Sequence, residues 1–147
     1  MGLLSRLTGK VTPQKTPEDD ALLVHAMMLM CGADGTFDPE ELDTVQAYFA
    51  QVPELKGKAF GEVYQAAVKI VRRYPNLAES VKSLAGLSTP ALKQKCYLLA
   101  VDIAMSSGDV DEAEDRMLDA MQRVMELNDA FCQKVIEVLS IKYTKAG

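Results

Sequence analysis

The sequence predicts an all-α protein, a compact bundle of about seven helices with two buried central helices and a pseudo-two-fold internal repeat. Three observations predict it. Helix starts marked by proline and acidic residues recur along the whole chain. No stretch between turn signals alternates apolar and polar residues as a half-buried strand does. Two runs are apolar around most of the helical circumference, which is the pattern of helices at the centre of a domain. With 147 residues, 48% hydrophobic and 25% charged, the chain reads as one ordinary globular unit. Residues 1–16 are expected to form a flexible basic tail and 17–147 a single helical domain.

Each element has its own punctuation. Thr16-Pro17-Glu18-Asp19 offers a cap, a proline at the first helical position and first-turn acids, predicting a helix from Pro17 to about Cys31. Asp38-Pro39-Glu40-Glu41 repeats the device and starts a helix to about Ala50, ended by Val52-Pro53. Phe60, Val63, Tyr64, Ala67, Ile70 and Val71 stand at helical spacing between Lys58 and Arg73, until Tyr74-Pro75 breaks the pattern. Asn76 with Glu79 caps a short fourth helix that Gly86 stops. Thr89-Pro90 opens a fifth, to Ser106. Asp111 with Glu114 caps a sixth, to about Glu126, and Asn128 starts a seventh.

The first and fifth helices are the apolar ones, and each holds one polar residue within its apolar run, His25 and Asp102. Either each is satisfied locally or the two form an ion pair across the core. Met117, Met121 and Met125, like Met27, Met28 and Met30, read as adaptable core rather than a binding face. Cys31, Cys96 and Cys132 are an odd number without a Cys-x-x-Cys pair, and read as reduced, buried thiols of a cytoplasmic protein.

Charge is organised in blocks. Net charge is −5, yet residues 17–55 carry nine acids and no lysine or arginine, and residues 96–129 carry nine acids against two bases. Between them, residues 56–95 hold eight bases and two acids. Such blocks disfavour nucleic acid, which needs a dominant basic face, and favour cations or basic partners. The uncharged stretch Ala21–Ala33 is too short to span a bilayer, and MGLLSRLTGKV lacks the apolar core of an export signal. One histidine inside an apolar run, with no phosphate loop or dinucleotide fingerprint, makes an enzyme the least expected class.

Setting Gly35 over Gly108 superposes Ala33-Asp34-Gly35-Thr36-Phe37-Asp38-Pro39-Glu40-Glu41 on Ser106-Ser107-Gly108-Asp109-Val110-Asp111-Glu112-Ala113-Glu114. The unit is a buried helix, an acidic glycine turn and a capped helix. The glycines suit a left-handed helix end, and Phe37 and Val110 suit packing beneath the next helix. Asp38 with Glu41 and Asp111 with Glu114 have capping-box spacing, which accounts for those four acids without any ligand. Asp34 and Asp109 remain. Clustered oxygens of this kind suit a hard divalent cation, calcium or magnesium, although the spacing is not that of an EF-hand loop.

These residues, from Ala33-Asp34-Gly35 through Leu42 and again at Gly108-Asp109-Val110-Asp111-x-x-Glu114, resemble the TerB-like family of tellurite-resistance proteins, to which the N-terminal domain of the membrane-anchored co-chaperone DjlA is related. The resemblance extends from about Glu18 to Leu139 and includes the Gly-Leu-Leu-x-x-Leu start. It implies a compact helical fold and a non-catalytic stress-response role, in the cytoplasm or peripheral to the inner membrane. The partners it implies are other stress-response proteins or a membrane-associated complex, and a homodimer is compatible with it. It also implies acidic loops that bind a metal ion, with Asp34, Asp38 and Glu41 matching the first turn and Asp109, Asp111 and Glu114 the second. Ser107 departs from the family, which usually has Asp there, so a second-turn ion site would be weaker or asymmetric. The alternative is a protein-interaction module whose acids serve only as helix caps and as a docking face for a basic partner.

Overall fold

The computed structural model describes residues 17–35 and 37–146, and among these the secondary structure is entirely helical. Helix α1 is Pro17–Cys31, α2 Pro39–Phe49, α3 Phe60–Val71, α4 Pro90–Ser106, α5 Glu112–Val124 and α6 Asp129–Tyr143. Two 3₁₀ segments, Pro53–Leu55 and Ala78–Gly86, complete the order. The expected tail at 1–16, the Thr16 cap and Thr36 of the first turn lie outside the described residues.

Helix α1 is the axis of the bundle. It is packed by α2, α3, α4, α5 and the 3₁₀ segment Ala78–Gly86, so residues from Ala21 to Met30 are buried on every side. Each large side chain among them contributes roughly 1.5–3 kcal/mol by leaving water. Helix α4 is the second central helix, with Cys96, Tyr97 and the run Leu99–Ala104 buried between α1, α5 and α6. The two helices begin close together, because Asp19 accepts from the Ser88 amide at 2.9 Å and from its hydroxyl at 2.5 Å. They therefore run side by side in one direction, and their C-terminal ends emerge together.

The outer helices follow their amphipathic faces. Phe49 of α2 meets Phe60 of α3 edge to face at 5.1 Å, and Phe60 stacks on Tyr64 at 5.7 Å. Met117 and Met121 of α5, with Met125 just beyond its end, are core, as are Met27, Met28 and Met30. Lys95 of α4 holds Glu54 of the first 3₁₀ segment at 2.6 and 2.7 Å. The fourth predicted helix is present but wound as 3₁₀. Asn76 caps it by accepting from the Glu79 amide at 2.9 Å, while the Glu79 carboxylate turns to Lys82 at 2.7 Å.

The two buried polar residues do not meet. Ser80 gives its hydroxyl proton to the Leu77 carbonyl at 2.5 Å, so its oxygen accepts from His25 Nε2 at 2.7 Å. His25 Nδ1 lies 3.1 Å from Ser83 Oγ, whose own proton goes to the Ser80 carbonyl at 2.8 Å. Asp102 accepts from Tyr48 of α2 at 3.1 Å, from Lys142 of α6 at 3.2 Å to each oxygen, and from Tyr143. Each is satisfied locally, and each ties a central helix to its neighbours.

Candidate functional site

The ends of α1 and α4 are built alike. In the first, Gly32 closes on Met28 at 2.8 Å and Gly35 on Gly32 at 2.9 Å, with Gly35 at φ 101°. In the second, Gly108 closes on Met105 at 3.1 Å, with φ 106°. Both φ values lie in the left-handed region that glycine enters without steric cost. Phe37 and Val110 then tuck against the core, as a hydrophobic residue ahead of a helix cap does.

The caps that follow differ. In the second turn the box is complete. Asp111 Oδ1 accepts from the Glu114 amide at 2.8 Å, and Glu114 Oε1 accepts from the Asp111 amide at 3.1 Å. In the first turn Asp38 stands at the cap position with no side-chain bond to the helix, and the Glu41 amide closes on the Asp38 carbonyl at 3.0 Å instead. This corrects the expected symmetry of the two boxes. With Pro39 at the first helical position, the tight backbone turn satisfies the Glu41 amide and leaves the Asp38 carboxylate in solvent.

Because α1 and α4 end together, the two turns meet around one cleft of about 380 Å³. Asp34, Glu41 and Thr44 line it from the first turn and α2, and Ser107, Asp111 and Glu114 from the second turn and α5. Met30, Cys31 and Ile103 line it from the central helices. Of the six acids picked out in the sequence, four share this cleft. Asp38 does not line it, and Asp109 faces a separate hollow with Ser140, Tyr143 and Thr144. Ser107 turns its hydroxyl back onto the Ala104 carbonyl at 3.0 Å.

The electrostatics register the convergence. Burial raises the Glu41 carboxyl above the usual glutamate range, and Asp38 and Asp34 raise it further against the Asp38 amide, which lowers it. Burial likewise raises Glu114, the Asp111 amide lowers it, and Asp111, Asp115 and Asp34 raise it. Asp34 thus acts on a glutamate in each turn. Glu41 Oε2 is enclosed with no hydrogen-bond partner. The Cys31 thiol is pushed up to about 12, first by burial and then by Glu41 and Glu114, so it stays protonated at neutral pH. As arranged, no three acid, cysteine or histidine side chains among the described residues converge tightly enough to enclose an ion.

Sequence reasoning missed that the two turns meet and that Cys31 borders their cleft. The available signal was that both turns end helices apolar on every face. Two such helices must both occupy the centre, so their ends can lie together.

The sequence model of the family described as Tellurite resistance protein TerB matches residues 5–136, nearly the whole chain. The chain belongs to this family. Comparison with curated proteins and with solved structures gave no match.

Proposed function

For this member of the TerB family we propose a non-catalytic role in a tellurite-resistance-type stress response, in which the cleft between the two acidic turns takes a divalent cation. The observation that carries the reading is that Asp34 and Glu41 share one cavity with Asp111 and Glu114, from the far half of the chain. Glutamates raised by burial and by the carboxylates around them, as Glu41 and Glu114 are, are relieved by a positive charge placed among them. The enclosed, unpartnered Glu41 Oε2 is the atom with most to gain. Since no three ligands converge as they stand, the site suits an ion that keeps part of its water shell, magnesium or calcium, over a dehydrated cage. Asp34, Glu41 and Glu114 would hold it, with Asp111 contributing the oxygen not engaged in the cap. Asp38 and Asp109 fall outside the ligand set.

No helix among the described residues is long and apolar enough to cross a membrane. The reading places the protein in the cytoplasm, working through other proteins of the response. The sole histidine supports a non-catalytic role, because its two ring nitrogens are spent on Ser80 and Ser83 inside the core.

Calorimetric titration of chelator-treated protein with magnesium and calcium, paired with thermal melts, tests the proposal. Saturable binding, a higher melting temperature and at least about tenfold weaker binding in Asp34→Asn are expected, with Asp109→Asn unchanged. Full affinity in both Asp34→Asn and Glu41→Gln would refute the ligand set.

A second reading is favoured by the completed cap of the second turn. Asp111 and Glu114 already answer each other's amides, so the cleft can act as an acidic docking face for a basic partner with no ion at all.

A further inference from the structure

Beside the acidic cleft lies a more apolar groove of about 340 Å³. Ala33 of the first turn and Ala78 of the second 3₁₀ segment line it, together with Ala113, Met117 and Ala120 of α5. Those three α5 residues recur at helical spacing and share one face. The Ala33–Asp34 stretch borders the groove and the cleft alike, so the two are adjacent. The rim charges are Asp34 and Arg116, and Arg116 stands 3.7 Å from Glu112, which already answers part of its charge. An aliphatic side chain laid among these methyl groups brings its chain neighbour over Asp34, Glu41 and Glu114, where only a cation is favoured.

From this we infer that groove and cleft form one docking surface for a partner segment that presents an aliphatic side chain next to a lysine or arginine. The inference rests on the docking reading of the cleft and adds the apolar half of the recognition. The groove supplies contact area and orientation, and the cleft selects charge sign. Asp34 and Glu41 of the 17–55 block and Asp111 and Glu114 of the 96–129 block, which the fold brings to this cleft, favour such a partner over an acidic one.

Three short fluorescent peptides test it by anisotropy on the whole protein, one of lysine and leucine, one of lysine and serine, one of glutamate and leucine. The lysine–leucine peptide is expected to bind about tenfold more tightly than the lysine–serine peptide, the value of one buried aliphatic side chain, and the glutamate–leucine peptide not at all. Ala120→Leu, which fills the groove from α5, should bring the lysine–leucine peptide down to the lysine–serine affinity and leave the latter unchanged. Ala113→Leu serves the same purpose if the first variant fails to fold, as judged by its melting curve. If both lysine peptides bind alike and filling the groove changes nothing, the groove inference is overturned while the docking reading of the cleft stands. If neither lysine peptide binds better than the glutamate peptide, both are overturned.

Discussion

Acidifying the protein should break the contact between α1 and the second 3₁₀ segment before anything else in the core. His25 is fully buried, and burial pushes its imidazole down to about 4 from the ordinary 6.5. Removal from water explains why the ring stays neutral, since only the charged form loses its hydration there. Nε2–H donates to Ser80, whose own proton is committed to Leu77, while Nδ1 lies 3.1 Å from Ser83, whose proton goes to the Ser80 carbonyl. Protonation places a positive charge inside an apolar shell. The unfolded chain takes up the proton near pH 6.5 and the folded chain only near pH 4. Stability is therefore intact above pH 6.5 and is lost as pH falls toward 4, by about 2 kcal/mol at pH 5 and about 3 kcal/mol in full. Glu41 and Glu114, raised in the fold, act in the opposite sense, adding stability as pH falls through their raised values toward 4.5. Urea unfolding at pH 7 and pH 5, for the wild type and His25→Gln, separates the two effects because only the wild type carries the imidazole. The wild type should lose about 2 kcal/mol more than the variant between those pH values. Equal losses, or an imidazole that titrates by NMR near 6.5, would refute the reasoning.

Two further predictions follow from the helix ends. Asp111→Ala should cost about 1 kcal/mol in denaturant unfolding, because it removes a real cap bond, while Asp38→Ala should cost less than about 0.5 kcal/mol. Equal costs would show that the first turn is capped after all. Glu126 follows α5 at φ 55°, with the Leu127 amide closing on the Gln122 carbonyl at 3.0 Å, so a non-glycine residue holds the left-handed position of a helix stop. Glu126→Gly should raise stability by about 0.5–1 kcal/mol, the left-handed strain relieved less the entropy glycine adds to the unfolded chain. A melting temperature that falls in this variant would contradict that reading.

How far the sequence carried is clearest where its signals were local. Proline at the first helical turn, an oxygen side chain ahead of it and glycine behind the last turn act within a few residues. Thr89 and Asn128 accordingly cap their helices, at 3.1 and 2.8 Å, and Pro90–Ser106 begins and ends where the pattern puts it. The all-round apolar character of Leu22–Met30 likewise fixed which helix lies at the centre, since no other place can bury every face. The same locality explains the half-built first cap. Capping-box spacing was present in Asp38 and Glu41, but whether the carboxylate or the backbone carbonyl takes the Glu41 amide depends on the turn geometry around it.

The pairings of His25 and Asp102 were not legible, because their partners stand some 40 to 58 residues away on other elements. Both residues announced a buried polar group, and either could have been answered by the other. The order of packing around α1 decided the matter, setting Ser80 and Ser83 over His25 and bringing Tyr48, Lys142 and Tyr143 to Asp102.

What the sequence by itself determined is the set of helices, the two that are central, and the two acidic turns that follow them. Tertiary structure alone decided that those turns face each other, that Asp34, Glu41, Asp111 and Glu114 share a cleft, and that Asp38 and Asp109 do not. Turn chemistry is written in neighbouring residues, whereas the distance between two turns depends on the direction and offset of the helices before them. Here that was set by α1 and α4 starting together at Asp19 and Ser88 and running in parallel to a common end.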